Sequence, residues 1–256
     1  MLQAEEVWRI NKVETHNAYE SGCMQEIMGD TLRPGGFNLT DRGIQYCSLT
    51  PGDTVLDLGC GQGATVNYLR EKYHITAVGI DPSEKMLAAA KVNFGDAGFF
   101  LGKGEELPFE DESFDCVFAE CTLSLMDSLD TVIKQVNRVL KENGWFIITD
   151  VYAKNPKDVV NLSNYSINSC MRGLHDLNLL KNRLEQTEFT IIYSEDYSQY
   201  LKELIVKIGF SYGSMCDFWN AAAEKYISED EFYKTLRKCK PGYFLMIARK
   251  KGKACG

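Results

Sequence analysis

The chain has 256 residues, 45% of them hydrophobic and 25% charged, and a formal net charge of −8. That length suits one well-buried domain with an insertion, and the acidic balance argues against nucleic acid as a partner. No apolar run nears the ~20 residues of a membrane span, and the start Met1-Leu2-Gln3-Ala4-Glu5-Glu6 lacks the regions of a secretory signal, so the expectation is a cytoplasmic protein without a membrane partner.

Residues 4–29 read as an amphipathic helix, with Val7, Ile10, Ala18, Met24 and Ile27 spaced for one face. Arg33-Pro34-Gly35-Gly36 breaks it, and Thr40 and Asp41 are placed to cap a helix running to Cys47. Thr50-Pro51-Gly52-Asp53 is a turn into a first strand over 54–58. A helix over 63–72, strand 75–80, helix 83–93, strand 98–101, strand 114–119, helix 128–141 and strand 144–151 follow. This alternation predicts a parallel sheet with both faces covered. Beyond Asp150 the pattern changes. Residues 155–187 are polar and read as helical, Phe189-Thr190-Ile191-Ile192-Tyr193 as a sixth strand, 198–238 as helical again, and 242–249 as a closing strand.

Thr54-Val55-Leu56-Asp57-Leu58-Gly59-Cys60-Gly61-Gln62-Gly63 is the most informative stretch. An apolar run ends at an acid and turns through three glycines into a helical pattern. Without Cβ atoms, such a turn can take positive φ and lie against a ligand. Read as Gly59-x-Gly61-x-x-Ala64, the loop also fits the dinucleotide fingerprint. Asp57, two residues before the first glycine, would repel a pyrophosphate and attract a cationic amino group. Asp81 ends the next apolar run, where a carboxylate can take both hydroxyls of a ribose. That supports a nucleoside ligand and leaves NAD and S-adenosylmethionine both open.

Asp57-x-Gly59-x-Gly61-x-Gly63, followed by Gly79-Ile80-Asp81-Pro82-Ser83-x-x-Met86, resembles the class I S-adenosylmethionine-dependent methyltransferases. Glu105-Glu106-Leu107-Pro108-Phe109, Ser113-Phe114-Asp115-Cys116-Val117-Phe118, Arg138-Val139-Leu140-Lys141-Glu142-Asn143-Gly144 and Trp145-Phe146-Ile147-Ile148 continue in that family's order, and Pro241–Arg249 matches its last strand. The resemblance implies a Rossmann-like α/β fold: a doubly wound, mostly parallel seven-stranded sheet whose last strand inserts antiparallel beside the fifth. It implies one domain over 1–256, with a helical arm (1–48), a cofactor-binding core (49–151), a helical lid containing strand 6 (152–240), and a closing strand and tail (241–256). It also implies S-adenosyl-L-methionine as cofactor and methyl transfer to a small-molecule acceptor. Asp57 would orient the methionine amino group and Asp81 the ribose diol. Gly59, Cys60, Gly61, Gly63, Pro82, Met86, Gly104, Glu105 and Glu120 would complete the cofactor site. Lys103 departs from the family, which commonly has an aspartate there for the adenine amino group; a lysine cannot accept that hydrogen bond.

Methyl transfer from a sulfonium depends mainly on in-line positioning, so sequence names few catalytic side chains. The candidates are Glu120, Cys121, Cys170 and His175, while His74 reads as structural. Nine cysteines contain no CxxC pair, against a zinc ribbon. Cys121 and Cys170 follow the fourth and fifth strands, a layout similar to the arsenite methyltransferases, whose thiolates hold trivalent arsenic. The resemblance lacks that family's third thiol motif, leaving Cys23 or Cys47 to stand in. The rival readings are an NAD-dependent oxidoreductase, opposed by Asp57 and the block 102–109, and a binding scaffold that has lost catalysis.

Overall fold

A computed structural model describes residues 18–162, 169–223 and 229–252. Seven strands form one sheet: β1 Thr54–Leu58, β2 Thr76–Asp81, β3 Phe99–Leu101, β4 Phe114–Glu120, β5 Leu140–Ala153, β6 Phe189–Asp196 and β7 Pro241–Lys250. Their spatial order is β3-β2-β1-β4-β5-β7-β6. Strands β1 to β5 run parallel, and β7 lies antiparallel between β5 and β6. The order reverses at β1, so the crevice beyond the carboxyl ends of β1 and β4 is where such sheets bind ligands.

Strand alternation sends side chains to two cores. Val55, Phe118 and Ile147 join one apolar cluster with Leu39, Ile44, Val66 and Leu69 from the helices Asn38–Cys47 and Ala64–Tyr73. Leu56, Val117, Phe146 and Ile148 join the other, with Val132, Ile133 and Val136 of the helix Leu129–Val139 and Leu180 and Leu184 of the helix Leu177–Gln186. The spacing 132, 133, 136, 139 is a helical stripe, and all four residues are buried.

Several expectations shift. The helix expected over 128–141 stops at Val139, because the carbonyls of Arg138 and Val139 accept from the backbone of Glu112 and Ser113 and Leu140 pairs with Phe114. Thr40 caps nothing: its helix begins at Asn38, and its hydroxyl donates to Glu120. The first helix is interrupted. Ala18–Glu20 is a 3₁₀ turn, Ser21 donates its hydroxyl to the Ala18 carbonyl, and Gly22–Met28 follows with Met24 and Ile27 buried. Val7, Ile10 and His16 lie outside the described residues. The helix Leu177–Gln186, expected as lid, packs on β6 and the helix Leu129–Val139 as a flank of the sheet. The helices Ser198–Tyr212 and Met215–Ala223 pack on each other and on the arm helix Gly22–Met28. His74 closes the helix Ala64–Tyr73 with φ 55°, a structural position as expected. Among the described residues no helix is long and apolar enough to cross a membrane.

Candidate active site

The loop after β1 turns on positive φ at Gly59 (76°), Gly61 (51°) and Gly63 (80°). The three glycines do different work. A Cβ on Gly59 would overlap the Thr122 hydroxyl, and one on Gly63 would press into the Phe99 ring, so both serve close packing. A Cβ on Gly61 would stand 3.3 Å from the Met86 methyl, filling the cleft between loop and helix. The backbone N–H groups of Gly59 and Cys60 both donate to the Ile80 carbonyl, which fixes the loop to β2.

Asp57, Gly59, Cys60, Gly61, Asp81, Pro82, Met86, Glu120 and Cys121 all line one cavity of about 840 Å³, open mouth included. Gly63, Gly104 and Glu105 do not line it. Gly104 packs on Met126 and Leu58, and Glu105 Oε1 accepts from the backbone N–H groups of Asp127 and Ser128. Glu105 is thereby tied through one carboxylate oxygen to the turn before the helix Leu129–Val139.

The two acids sit differently. Asp81 accepts from the backbone N–H of Gly61 (2.8 Å) and of Ser83 (2.9 Å), one at each oxygen, and lone pairs remain on both. Burial holds it above the usual carboxylate range, against the pull of those two donors. Asp57 is 3% exposed and makes no hydrogen bond among the described residues. Burial, then the Glu120 charge, push it up to about 8, with Arg33 pulling the other way.

Glu120 is bound on every side. Arg33 Nη2 lies 2.8 Å from its Oε2, Thr40 donates to Oε1 at 2.8 Å, and Thr65 to Oε2 at 3.2 Å. The arginine also donates to both threonine hydroxyls. Both partners are buried, so Glu120 positions the arm on the sheet and is not free to act as a base. Sequence reading missed Arg33, Thr40 and Thr65 here. Arg33 lies 87 positions from Glu120, and no local spacing joins them.

Cys121 lies just beyond β4 with φ 57°, a left-handed backbone unusual outside glycine. Its backbone N–H donates to the Thr149 carbonyl at 2.7 Å, which holds that geometry. Its thiol donates to the Tyr243 hydroxyl at 3.5 Å and neighbours the Cys170 thiol. That neighbouring thiol, then burial, hold Cys121 well above the ordinary thiol range. Tyr19 from the arm accepts from the Cys170 backbone N–H at 3.2 Å and lines the cavity. The two predicted thiols thus meet beside the cavity. Neither stand-in joins them: Cys47 lies beside Cys116, and among the described residues no third histidine, cysteine or acid completes a metal-binding group. His175 does not reach this cavity; it hydrogen-bonds Asp150 at 3.3 Å and lines another.

The residues present fit a nucleoside carrying a cationic amino group. An unpartnered buried acid lies on the wall, a second acid is fixed at the end of β2, and the glycine turn leaves room that a side chain would fill. A dinucleotide fits worse. Among the described residues, four acids (Asp30, Asp57, Asp81 and Glu120) line the cavity and the one basic side chain, Arg33, is already paired with Glu120, so a pyrophosphate would find no free cation there.

A model of the methyltransferase domain matches residues 56–148. An uncharacterized methyltransferase of Synechocystis is 38% identical over 111 residues, 43% of this chain and 52% of that relative. An arsenite methyltransferase of Halobacterium salinarum is 29% identical over 157 residues, 57% of this chain and 40% of that relative. The chain thus spans about half the length, or less, of these relatives. A phosphoethanolamine N-methyltransferase of Haemonchus contortus, solved in complex with S-adenosyl-L-methionine, shares the fold at a TM-score of 0.69 and 19% identity, over 90% of this chain and 56% of that one. The sheet order, the acid before the glycine turn and the domain matched over residues 56–148 make this chain similar to the S-adenosylmethionine-dependent methyltransferases.

Proposed function

We propose that the protein transfers a methyl group from S-adenosylmethionine to a small-molecule acceptor. The observation that carries this is Asp57, a buried acid without a partner, in one cavity with the backbone-fixed Asp81. The cofactor supplies an electron-poor methyl group on a sulfonium sulfur. Asp57 takes the ammonium of the methionine end, and Asp81 takes the ribose hydroxyls with its remaining lone pairs. Gly59, Cys60 and Gly61 bring the backbone close, and Pro82 and Met86 supply apolar contact on the ribose side. The arm residues Tyr19 and Arg33 close the cavity across from the sheet and help exclude water.

In this reading residues 49–151 carry the cofactor, and the arm with the helices Ser198–Tyr212 and Met215–Ala223 forms the acceptor side. The chain acts in the cytoplasm, where the eight described cysteines, none of them in a disulfide, stay reduced. Calorimetry tests the reading directly. S-adenosylhomocysteine should bind with one site per chain and NAD should not; the opposite preference overturns it.

One observation favours a more specific acceptor. Cys121 lines the cavity with the Cys170 thiol beside it, and two soft sulfurs suit a trivalent metalloid. Their departure from a full arsenite site is the missing third thiol. Trivalent arsenic should bind one per chain, more tightly at higher pH because ligation releases thiol protons. Cys121→Ser and Cys170→Ser should each weaken it. Unchanged arsenic binding in both serine variants removes this acceptor and leaves the methyltransferase reading intact.

A further inference from the structure

A second cavity opens behind the 3₁₀ turn Leu123–Leu125, with about 960 Å³ of empty space, its mouth included. The turn is the partition. Leu125 lines only the first cavity, Leu123 and Ser124 only the second, and Met126 lines both. Its other wall is fixed against it: a Cβ on Gly173 would overlap the Ser124 carbonyl, so the turn Cys170–Arg172 is pressed on the partition.

The lining of this cavity combines apolar and basic side chains. Leu129, Leu174 and Leu180 supply apolar surface, and Leu179 and Val160 of the same lining stay exposed, at 50% and 72%. Arg172, His175 and Arg183 are the basic groups, against one acid, Asp176. That acid is engaged, since its Oδ1 accepts from the backbone N–H groups of Asn178 and Leu179 and caps their helix. Arg183 pairs loosely with Asp130, 3.4 Å away. The Arg172 backbone N–H donates to the Ser169 carbonyl, while its guanidinium has no hydrogen bond or ion pair among the described residues.

His175 is held firmly. Its backbone bridges β5, donating to the Val151 carbonyl and accepting from the Ala153 N–H. Its Nε2 faces Asp150 Oδ2 at 3.3 Å. Asp150 is fully buried and also accepts from the Ser124 N–H and hydroxyl and from the Val151 N–H. A carboxylate can only accept, so Nε2 carries the proton it donates, and Nδ1 is the ring's remaining polar atom. Asp150 therefore fixes the ring of a residue that lines the cavity.

An apolar lining that includes an arginine whose guanidinium is unpaired among the described residues is the complement of an amphiphilic acid. We propose that this second cavity binds a small organic anion with an apolar body, its acid group taken by Arg172 and its body lying along Leu129, Leu174 and Leu180. The site stands apart from the cofactor cavity and does not depend on how that cavity is read.

The test uses the full chain saturated with S-adenosylhomocysteine and the fluorescent probe 1-anilinonaphthalene-8-sulfonate, with octanoate as competitor. One saturable probe site, displaced by octanoate and weakened by salt, is expected. Arg172→Gln should bind about tenfold more weakly, the loss of one charge-assisted hydrogen bond. Leu179→Glu, at an exposed position, should weaken binding by adding a repelling charge, and it decides the matter if circular dichroism shows Arg172→Gln to be unfolded. The proposal is overturned if no saturable site is found, if octanoate fails to displace the probe, or if a folded Arg172→Gln binds as the parent does. It is also overturned if raising S-adenosylhomocysteine displaces the probe, which would put the probe in the first cavity.

Discussion

The two ends of the cofactor cavity are built on opposite principles. At the Asp81 end the acid is bound to backbone N–H groups from both flanking loops. Remove the ligand and little is left unsatisfied there. At the Asp57 end a carboxylate lies buried without a donor, beside an ion pair that belongs to its neighbour Glu120. Remove the ligand and that acid is a strained feature of the fold. One end is rigid scaffolding that also recognises. The other stores unfavourable electrostatics that a cation would relieve. Substitutions at the two ends should therefore separate stability from affinity in different ways.

The largest effect is expected at the ion pair that frames the Asp57 end. Arg33→Ala leaves Glu120 buried with only two hydroxyl donors and should cost about 3–5 kcal/mol of stability, read as a lower urea midpoint at unchanged slope. Arg33→Ala paired with Glu120→Gln should recover much of that loss. A single variant as stable as the parent would show that the pair does not hold the arm to the sheet.

Next comes Asp57 itself. Its folded-state value of about 8 lies far above the ordinary 3.8, so the folded chain keeps a proton that the unfolded chain releases. The stability this acid allows is complete below pH 4 and is lost as pH rises from 4 towards 8. Asp57→Asn should therefore make the cofactor-free protein more stable at pH 7, flatten that slope, and weaken S-adenosylhomocysteine by about 1.5–3 kcal/mol. Affinity in the parent should climb from pH 6 to near 8, as the carboxylate forms, and fall above it as the cofactor's own amino group, ordinarily near 8, loses its proton. A parent affinity flat between pH 6 and 8 would mean that Asp57 is ionised without a ligand.

How much of this was legible in the sequence follows the same division. The Asp81 end is local: a strand, an acid and a glycine turn within 27 positions, 57 to 83, each dictated by backbone geometry that glycine and capping residues announce. Asp57 and Asp81 in one site were readable from it, whereas the antiparallel last strand was expected from the family resemblance alone. The glycines were over-read, since Gly63 meets Phe99 and not the cavity. What stayed hidden is tertiary. Arg33 meets Glu120, Tyr19 meets Cys170, and Glu105 turns back to Asp127 and Ser128 because distant segments pack there, not because of any period in the chain. His175 was a candidate base in the expected lid, but its backbone pairs with the far end of β5, which carries it to Asp150.

At the rigid end the contrast with Asp57 should show as loss in both properties. Asp81→Asn keeps one oxygen acceptor and must turn an amide N–H₂ towards a backbone donor, Gly61 or Ser83. Both cofactor affinity and stability should fall, affinity by about 1.5–3 kcal/mol and stability by about 1 kcal/mol. If Asp81→Asn stabilised the free protein as Asp57→Asn is expected to, the two ends would be alike and the distinction drawn here would be wrong.

The smallest effect is expected at Gly61, where the two principles meet: its N–H serves Asp81 and its missing Cβ leaves the cleft open. Gly61→Ala places an L-residue at φ 51°, which costs about 1 kcal/mol of stability. Its Cβ would also stand 3.3 Å from the Met86 methyl, the mobile end of a flexible side chain that can swing away into the cavity. Affinity for S-adenosylhomocysteine should fall severalfold through that displaced methyl. Adding Met86→Ala separates the two causes. It removes the methyl and should restore part of the affinity that Gly61→Ala loses, while the loss of stability from the backbone remains. Affinity that stays low in the double variant would place the cost in the loop backbone, and would show that the glycine is needed for its conformation and not for the space beside Met86.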